Sequence, residues 1–388
     1  MKVSSVRAAA LRDPRVLGRS GESRADLFCG SEGENPLSRY ERYRGQGSRF
    51  RPGWSEVLCV VTADDGTWGV GMTSHAGLVV PLVNDYLAPV LHGEDALETE
   101  RLWDVMARAT AAFFGATGVS SYALSAVDLA LWDLRGKAEG RPVYKLIGGP
   151  TRDELHCYVT GHDVDAYQEL GFEAFKLPCP AGAADGEGGV ETVREAVATA
   201  RAEVGDETDL MLDLWGVQDA GFTIAVGEAT RGYGLDWLED FVYPDSWSEY
   251  REVRDALPGV CLAAGEKWYT AHPFRLAAEL GVIDVLQPDI CWVGGLTPTI
   301  EIAEIAHTAG LELALHLGGN DSYGQHACLA LPHHHSSEFY IGGAPPENLL
   351  DAYRGVPGMA LPIDGRIVPS DAPGFGIELT LDQIEAAT

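Results

Sequence analysis

The 388-residue sequence is poor in lysine and carries a large acidic excess. Only five lysines are present; the other 23 of its 28 basic residues are arginines, against 58 aspartates and glutamates and a formal net charge of −30. Because like charges repel, this balance argues against nucleic acid and anionic membrane as partners. Few lysines beside many acids are typical of a surface adapted to molar salt, so we predict a halophilic protein. An ordinary acidic protein is the alternative.

A surface adapted to salt should make the stability of the protein depend on ionic strength. In molar KCl the Debye length falls to about 3 Å, which screens the mutual repulsion of the acidic side chains. We therefore expect the melting temperature, followed by circular dichroism, to rise markedly between dilute buffer and molar KCl. A melting temperature that does not change with salt would contradict the halophilic interpretation.

Long apolar runs and paired cysteines are also missing from the sequence. No stretch of 18 apolar residues occurs, and the first residues, MKVSSVRAAALRDP, lack the apolar core of a secretory signal. The seven cysteines are scattered without a CxxC pair, which argues against a disulfide framework or a zinc ribbon. We therefore expect a protein of the reducing cytoplasm.

The first part of the chain, residues 1–147, is predicted to form an α+β domain. Glu56–Ala63 alternates as a strand does, and Ser121–Ala138 places apolar side chains on one helical face. The polar, Gly- and Arg-rich residues 15–53 are long for a structureless loop, and we predict that they form a lid over a substrate site. Gly148, Gly149 and Pro150 then break the chain, and the domain boundary is placed just before them.

The pattern becomes rhythmic in residues 148–349, where short apolar strands alternate with helical stretches. Eight strand candidates follow one another: LHCYVT, AFKLP, LMLDLW, LDWLED, VCLAAGE, DVLQPD, LELALH and EFYI. Eight β/α repeats predict an α/β fold of the (β/α)₈ barrel type, with the first domain as a cap. A doubly wound open sheet is the alternative, but no Gly-rich phosphate loop follows the first strand. Residues 350–388 are predicted to return to the capping domain.

Polar side chains lie at the ends of six successive strand candidates. Neighbouring members from the third strand onward are 23 to 27 residues apart, about one β/α unit, so they should converge on the face where barrel active sites form. Three carboxylates brought together without a cysteine make a hard oxygen site, which suits Mg²⁺ better than zinc. Any one acid could instead be a helix N-cap or a salt-bridge partner. The six residues are Lys176, Asp213, Glu239, Glu266, Asp289 and His316.

Several longer motifs make the chain resemble the enolase superfamily, mandelate racemase subgroup, and within it the L-rhamnonate dehydratases. The likeness covers nearly the whole chain and implies a capping domain built from both termini. It also implies Asp213, Glu239 and Glu266 as ligands of Mg²⁺. The motifs are NPLSRYERY, YALSAVDLALWDLRGKAEGRPVYKLIGGP, MLDLW, WLED, AAGE, QPDICWVGGLT, LHLGGNDSYGQHA and DAPGFGIEL.

In that superfamily the metal binds a substrate carboxylate and a base removes the adjacent proton. Many relatives carry Lys-x-Lys on the second strand, and the second lysine is a base. This chain has Lys176-Leu177-Pro178 there, so that base is absent. The rhamnonate dehydratases share this difference. The remaining base is His316, held by Asp289, although a hydrogen-bonded core histidine is the simpler alternative. Lys176 could orient the substrate or form a structural ion pair. Lys267 stands where those dehydratases have histidine, so it competes for the role of acid.

The resemblance implies an acid-sugar (aldonate) dehydratase, a carbon–oxygen lyase that acts on a small molecule and forms a 2-keto-3-deoxy acid. A homo-oligomer is expected from the family. Tyr40, Arg44 and Trp215 are candidates for substrate contacts, with surface placement or barrel packing as the simpler reading. Three rival functions stay open: a racemase or epimerase, a Schiff-base aldolase that uses Lys176, and a metal-binding barrel without turnover.

Overall fold

The structure is a computed structural model that describes residues 1–13, 35–44, 55–161, 163–332, 335–341 and 356–388. Most of the predicted lid, residues 15–53, therefore lies outside the described residues, and only 35–44 of it can be discussed. Within the described ranges, no helix has the length and apolar character needed to cross a membrane.

Twelve strands and thirteen α-helices make up the described chain. The strands are β1 (Val3–Ala10), β2 (Val57–Ala63), β3 (Trp68–Thr73), β4 (Leu155–Thr160), β5 (Ala174–Pro178), β6 (Asp209–Asp213), β7 (Leu238–Glu239), β8 (Leu262–Ala264), β9 (Val285–Leu286), β10 (Glu312–Leu313), β11 (Ser336–Tyr340) and β12 (Arg366–Ile367). The helices are α1 (Ala76–Pro81), α2 (Ala88–Leu91), α3 (Thr99–Ala111), α4 (Val119–Glu139), α5 (Val143–Leu146), α6 (Val164–Glu169), α7 (Gly186–Val204), α8 (Ala220–Thr230), α9 (Trp247–Ala256), α10 (His272–Leu280), α11 (Leu296–Ala309), α12 (Ser322–Ala330) and α13 (Leu381–Ala387).

The capping domain is an antiparallel sheet of β1, β2 and β3 packed on the long helix α4. The strand predicted at Glu56–Ala63 and the helix predicted at Ser121–Ala138 are both present, each with slightly different bounds. Two glycines of β3 allow the sheet to lie directly on the helix backbone. A Cβ at Gly71 would stand 2.0 Å from the Ala126 carbonyl oxygen, and one at Gly69 would stand 2.1 Å from that of Ala130.

This close contact predicts that Gly71→Ala destabilises the protein. The added methyl group cannot be accommodated without separating strand and helix, and overpacking of this kind costs about 1–3 kcal/mol or more. Chemical denaturation should therefore show a clearly lower free energy of unfolding. Gly188→Ala in α7 is the matched control, because a Cβ there meets nothing within 4 Å, and alanine is the better helix former by about 1 kcal/mol. Equal effects of the two substitutions would contradict this packing.

The second domain is a barrel of eight parallel strands in the spatial order β10-β9-β8-β7-β6-β5-β4-β11. All eight strand candidates form strands, which confirms the predicted barrel-type fold. The two outer strands of this order are joined by the turn that follows β10. There Gly319 N–H donates to the Glu338 carbonyl at 2.7 Å, and the Asn320 side chain pairs with the backbone of Tyr340.

Side chains that point into the barrel form two layers of different chemistry. The lower layer is apolar and consists of Tyr158, Ala174, Met211, Trp237, Ala263, Val285 and Ala314. Because strand side chains alternate, the next inward position is two residues further along each strand. These positions hold Thr160, Lys176, Asp213, Glu239, Gly265, Gln287 and His316, and β11 adds Glu338 to them. The interior of the barrel therefore changes from apolar to polar between one layer of side chains and the next, toward the carboxyl ends of the strands.

The C-terminal residues 356–388 run from the barrel to the capping domain. β12 first pairs antiparallel with β4. Further on, the Phe375 N–H donates to the buried Asp133 carboxylate of α4, and the Ala387 carbonyl accepts from the N–H of Arg12. These contacts connect the last residues to both parts of the protein, while the domain limits at 147 and 349 remain predictions.

Candidate active site

Buried charged side chains lie together at the carboxyl ends of the barrel strands. Asp213 and Glu239 are the last residues of β6 and β7, and Glu266 follows β8 by two residues. Gly265, with φ of 144°, precedes Glu266; at this angle a side chain is strained, and a Cβ would meet the Gln287 backbone at 2.9 Å. The glycine therefore permits the close approach of this turn to β9. All three carboxylates are less than a tenth exposed.

Glu239 is held by three donors, one each from the segments of β5, β7 and β9. Its Oε1 forms an ion pair with the Lys176 ammonium, and its Oε2 accepts from Trp237 Nε1 at 2.9 Å and from Gln287 Nε2 at 2.8 Å. Buried carboxylates need such partners, because an unpaired charge in the barrel interior would be expensive. The orientation of Glu239 is therefore fixed by its surroundings.

Lys176 lies between two carboxylates in the middle of β5, with about 1% of its surface exposed. Besides Glu239 it contacts Glu338 Oε1 at 2.8 Å. Burial would lower the pKa of Lys176, but the charges of Glu239 and Glu338 hold it well above its ordinary value. Lys176 is thus a protonated, ion-paired lysine, and its contribution to catalysis remains a prediction.

Glu338 is a member of this site that the sequence analysis did not identify. Its carboxylate also accepts from Thr160 Oγ1 at 2.6 Å and from the Leu317 N–H at 2.8 Å. The strand candidate EFYI does contain a clue to this residue, because its glutamate is the only charged residue among three apolar or aromatic ones. Glu338 lies in the middle of β11, however, and the spacing of strand ends does not point to it.

His316 links the strand ends of β8, β9 and β10. Its Nδ1 lies 2.8 Å from Asp289 Oδ2, and its Nε2 lies 2.7 Å from Glu266 Oε2. Burial alone would lower the pKa of His316, but Glu266 and Asp289 hold it well above its ordinary value. Burial alone would raise the pKa of Glu266, but the charges of Lys267 and His316 hold this pKa well below the usual range. The imidazole is therefore oriented from both sides by carboxylates.

Lys267 is anchored by the turns that follow β6 and β7. Its ammonium lies 2.6 Å from Asp240 Oδ2 and 3.2 Å from the Trp215 carbonyl oxygen, and it also pairs with Glu266. Asp240 is buried, and burial raises its pKa to about 6 despite the neighbouring lysine. Lys267 and Trp215 both line a cavity of about 560 Å³ beside the carboxylates.

The donor set around Asp213 fits a divalent cation by its chemistry. Burial, and next the charge of Glu239, raise the pKa of Asp213 well above its ordinary value, with Glu266 adding to the effect. Mutual repulsion of this kind is what a bound cation would relieve. In the arrangement seen across the described residues, no three acidic, histidine or cysteine side chains surround one point as metal ligands do. Glu239 and Glu266 are instead turned to Lys176, Lys267 and His316.

An aromatic cluster from the barrel and the capping domain lies next to His316. The Trp292 ring lies 5.0 Å from the His316 ring, and Tyr122 of α4 lies 5.9 Å from Trp292 and 5.7 Å from Tyr269. These contacts bring the first turn of α4 to the carboxyl ends of the barrel strands. One face of the His316 ring is thereby covered by an aromatic side chain.

The substrate contacts predicted in the lid lie apart from this group. Tyr40 is 55% exposed and packs edge-on against Tyr43, and Arg44 donates to the Ser38 carbonyl at 3.2 Å. Neither residue lines the cavity beside Lys267, whereas Pro36 of the same segment and Trp215 do. A role of Tyr40 or Arg44 in substrate binding remains a prediction.

Comparison with known proteins places this geometry in a family. Residues 161–383 match the model described as enolase C-terminal domain-like, and residues 54–148 match the N-terminal domain of mandelate racemase and muconate lactonizing enzyme. The chain therefore belongs to the enolase superfamily, with the mandelate racemase type of capping domain. This confirms the resemblance seen in the sequence.

Three individual members of this superfamily are similar to the chain over most of its length. The L-rhamnonate dehydratase of Saccharopolyspora erythraea is 35% identical over 347 residues, which cover 89% of this chain and 88% of the relative. The crystal structure of a Mg complex of rhamnonate dehydratase from Gibberella zeae superposes with a TM-score of 0.87 at 27% identity, over 100% of this chain and 95% of the other. The 3,6-anhydro-D-galactonate cycloisomerase from Zobellia galactanivorans matches with a TM-score of 0.73 at 26% identity, over 86% and 94%.

Proposed function

We propose that the protein is a Mg²⁺-dependent acid-sugar dehydratase that converts an aldonate into a 2-keto-3-deoxy acid. The observation that carries this proposal is the Asp289–His316 pair, 2.8 Å apart, directly beside a group of buried carboxylates. The relatives named as rhamnonate dehydratases, one of them complexed with Mg, support the same reaction class.

Asp213, Glu239 and Glu266 are the residues that would hold Mg²⁺. The ion, when bound, supplies a Lewis acid for the substrate carboxylate, which makes the neighbouring C2–H more acidic. The carboxylates themselves are already fixed: Glu239 by Trp237 and Gln287, and Asp213 by the Trp215 N–H at 2.7 Å. To bind the ion, Glu239 and Glu266 would exchange contacts with Lys176, Lys267 and His316 for the cation.

His316 is the base in this proposal. Asp289 accepts a hydrogen bond from Nδ1–H, which leaves Nε2 as the proton acceptor. In this structure Nε2 faces Glu266 at 2.7 Å, and it would be freed to take the C2 proton of the substrate once Glu266 binds Mg²⁺ and its charge no longer raises the pKa of His316. A carboxylate at Nδ1 fixes the tautomer and stabilises the imidazolium that results. The base is thus held in one orientation before the substrate binds.

Elimination then returns the proton to the substrate's leaving group. The electron pair left at C2 forms the C2–C3 double bond as the C3–O bond breaks, and the departing hydroxide leaves as water with a proton. The imidazolium of His316 can supply that proton, which makes the elimination syn, while Lys267 is the competing donor. The enol formed tautomerises to the 2-keto-3-deoxy acid.

The geometry of Lys176 speaks against the racemase and aldolase alternatives. A racemase normally needs a second base opposite His316, and an aldolase needs a neutral amine that can attack a carbonyl group. Lys176 is protonated and enclosed by Glu239 and Glu338, so its nitrogen has no free lone pair for either task. These contacts support a one-base reaction.

The proposal is tested by offering a library of acid sugars to the protein with Mg²⁺ in high salt. We expect a 2-keto-3-deoxy product, detected as its semicarbazone, from at least one aldonate, and loss of the product when Mg²⁺ is chelated. Full activity in a chelated sample, or no keto product from any acid sugar, would overturn the proposal.

A further inference from the structure

The cavity beside Lys267 has features of a binding site that the proposed reaction does not use. It measures about 560 Å³ and adjoins the carboxylates on the side of β6, β7 and β8. Its walls come from the barrel at Trp215, Tyr243 and Tyr269, and from the capping domain at Thr117 and Gly118. A cavity that both domains line, and whose Lys267 also contacts the proposed metal ligand Glu266, is suited to the remainder of a substrate.

Lys267 is the cation of this cavity. Its side chain is 29% exposed, whereas that of Asp240, which holds it at 2.6 Å, is 5% exposed. Asp240, Glu266 and the Trp215 carbonyl thus fix the ammonium, while the partly exposed lysine side chain lines the cavity. The stem of the lysine lies along the cavity wall, with the Trp215 ring centre 5.9 Å from the ammonium.

The backbone around Lys267 is arranged to keep it in this position. Asp240 and Trp215 have φ of 44° and 62°, in the left-handed region that few residues other than glycine adopt. The turn of Trp215 is bonded to that of Asp240, since the Gly216 N–H donates to the Asp240 carbonyl. Both strained residues present a ligand to Lys267: the carboxylate of Asp240 and the carbonyl of Trp215.

The balance of charge around Lys267 indicates what the cavity accepts. The ammonium is balanced by the Asp240 carboxylate even when Glu266 is engaged with Mg²⁺, so Lys267 carries no surplus positive charge for a second anion. The three N–H groups of Lys267 go to Asp240, Glu266 and the Trp215 carbonyl, and binding of Mg²⁺ by Glu266 would release one of them. That N–H would be a strong donor for a neutral hydroxyl group, an acceptor that needs no countercharge. The aromatic walls suit the C–H faces of a carbon chain.

We propose that Lys267, positioned by Asp240 and the Trp215 carbonyl, is the specificity-determining residue that binds the neutral polyhydroxy tail of a mono-acid substrate in this cavity. The inference rests on the proposed function only for the position of the substrate carboxylate at the other end. A sugar diacid, whose second carboxylate would enter the same cavity, is selected against. Lys267 therefore binds the tail of the substrate, while His316 acts at C2.

The test measures binding without turnover. In the His316→Asn protein with Mg²⁺ and molar KCl, dissociation constants are measured by calorimetry for L-rhamnonate, the diacid galactarate and L-lactate, which has the carboxylate and C2 hydroxyl but no tail. Adding Lys267→Met should weaken L-rhamnonate binding by about tenfold or more, as expected for loss of a charged hydrogen bond, and leave lactate within a factor of about three. Asp240→Asn should act in the same direction, and Lys267→Arg should restore part of the affinity.

Lys145→Met is the matched control, because Lys145 also pairs with an aspartate, Asp371, at 2.6 Å but lies on the surface. It should change none of the three constants. Equal losses for L-rhamnonate and lactate in Lys267→Met would show that Lys267 acts at the carboxylate end, and no loss would remove it from binding; either result overturns the inference. Tighter binding of galactarate than of L-rhamnonate would overturn the selection against diacids. Since turnover is not used, failure of the dehydration reaction would appear separately, as wild-type protein that binds acid sugars but forms no keto acid.

Discussion

His316→Asn should abolish both dehydration and exchange of the substrate C2 proton with D₂O. The loss is expected to reach about 10³-fold or more, in the upper range of what a positioned general base contributes. Asparagine retains a hydrogen-bonding group near Asp289 but cannot accept a proton. Exchange followed by NMR with the true substrate measures this step independently of the elimination.

Two further variants sharpen this test. Asp289→Asn should be damaging but less complete, because the imidazole remains and only its orientation and basicity suffer. His307→Asn is the matched control, since His307 is an exposed histidine at the end of α11, and it should retain wild-type exchange. Exchange at the wild-type rate in His316→Asn would identify another base, with Lys176 or Lys267 as the remaining candidates, and the proposed mechanism would be wrong.

Asp213→Asn, Glu239→Gln and Glu266→Gln should each lower the affinity for Mg²⁺ and abolish turnover. A bound cation contributes several kcal/mol to stabilising the charge on the substrate, so kcat/KM should fall by about 10³-fold or more in each variant. Calorimetric titration with Mg²⁺ measures the binding loss directly. His316→Asn should keep its Mg²⁺ affinity, because that substitution removes none of the three carboxylates.

Asp209→Asn is the control for the metal variants. Asp209 begins β6, the strand that Asp213 ends, and it pairs with His335 at the opposite face of the barrel. Its replacement should leave both Mg²⁺ affinity and turnover unchanged. Three carboxylate variants with unaltered Mg²⁺ affinity would show that the ion binds elsewhere or not at all.

The sequence allowed the barrel to be predicted because its signals are local and repeated. Each apolar strand is followed by a helical stretch, and each polar residue stands about one β/α unit after the last. Spacing of this kind identifies Asp213, Glu239, Glu266, Asp289 and His316 without knowledge of any tertiary contact. Parallel strands then bring them to one end of the barrel, as the structure shows.

Pair contacts within the site could not be predicted in the same way. Whether Lys176 faces Glu239, Glu338 or the substrate depends on which inward layer each side chain occupies, and this follows from strand register and barrel closure. The position of Glu338 required the pairing of β11 with β4, two strands far apart in sequence. The anchoring of Lys267 likewise depends on Trp215 and Asp240, which both adopt left-handed backbone conformations. These conformations could not be predicted from the residue types in the two segments.

The most direct test of the central claim is an NMR experiment on the wild-type protein in D₂O with Mg²⁺ and L-rhamnonate or another aldonate that it binds. The proposed one-base dehydration predicts a 2-keto-3-deoxy acid that contains solvent deuterium at C3, with no C2 epimer formed on the way. Accumulation of the C2 epimer with deuterium at C2, and no keto acid, would show a racemase instead and contradict the account.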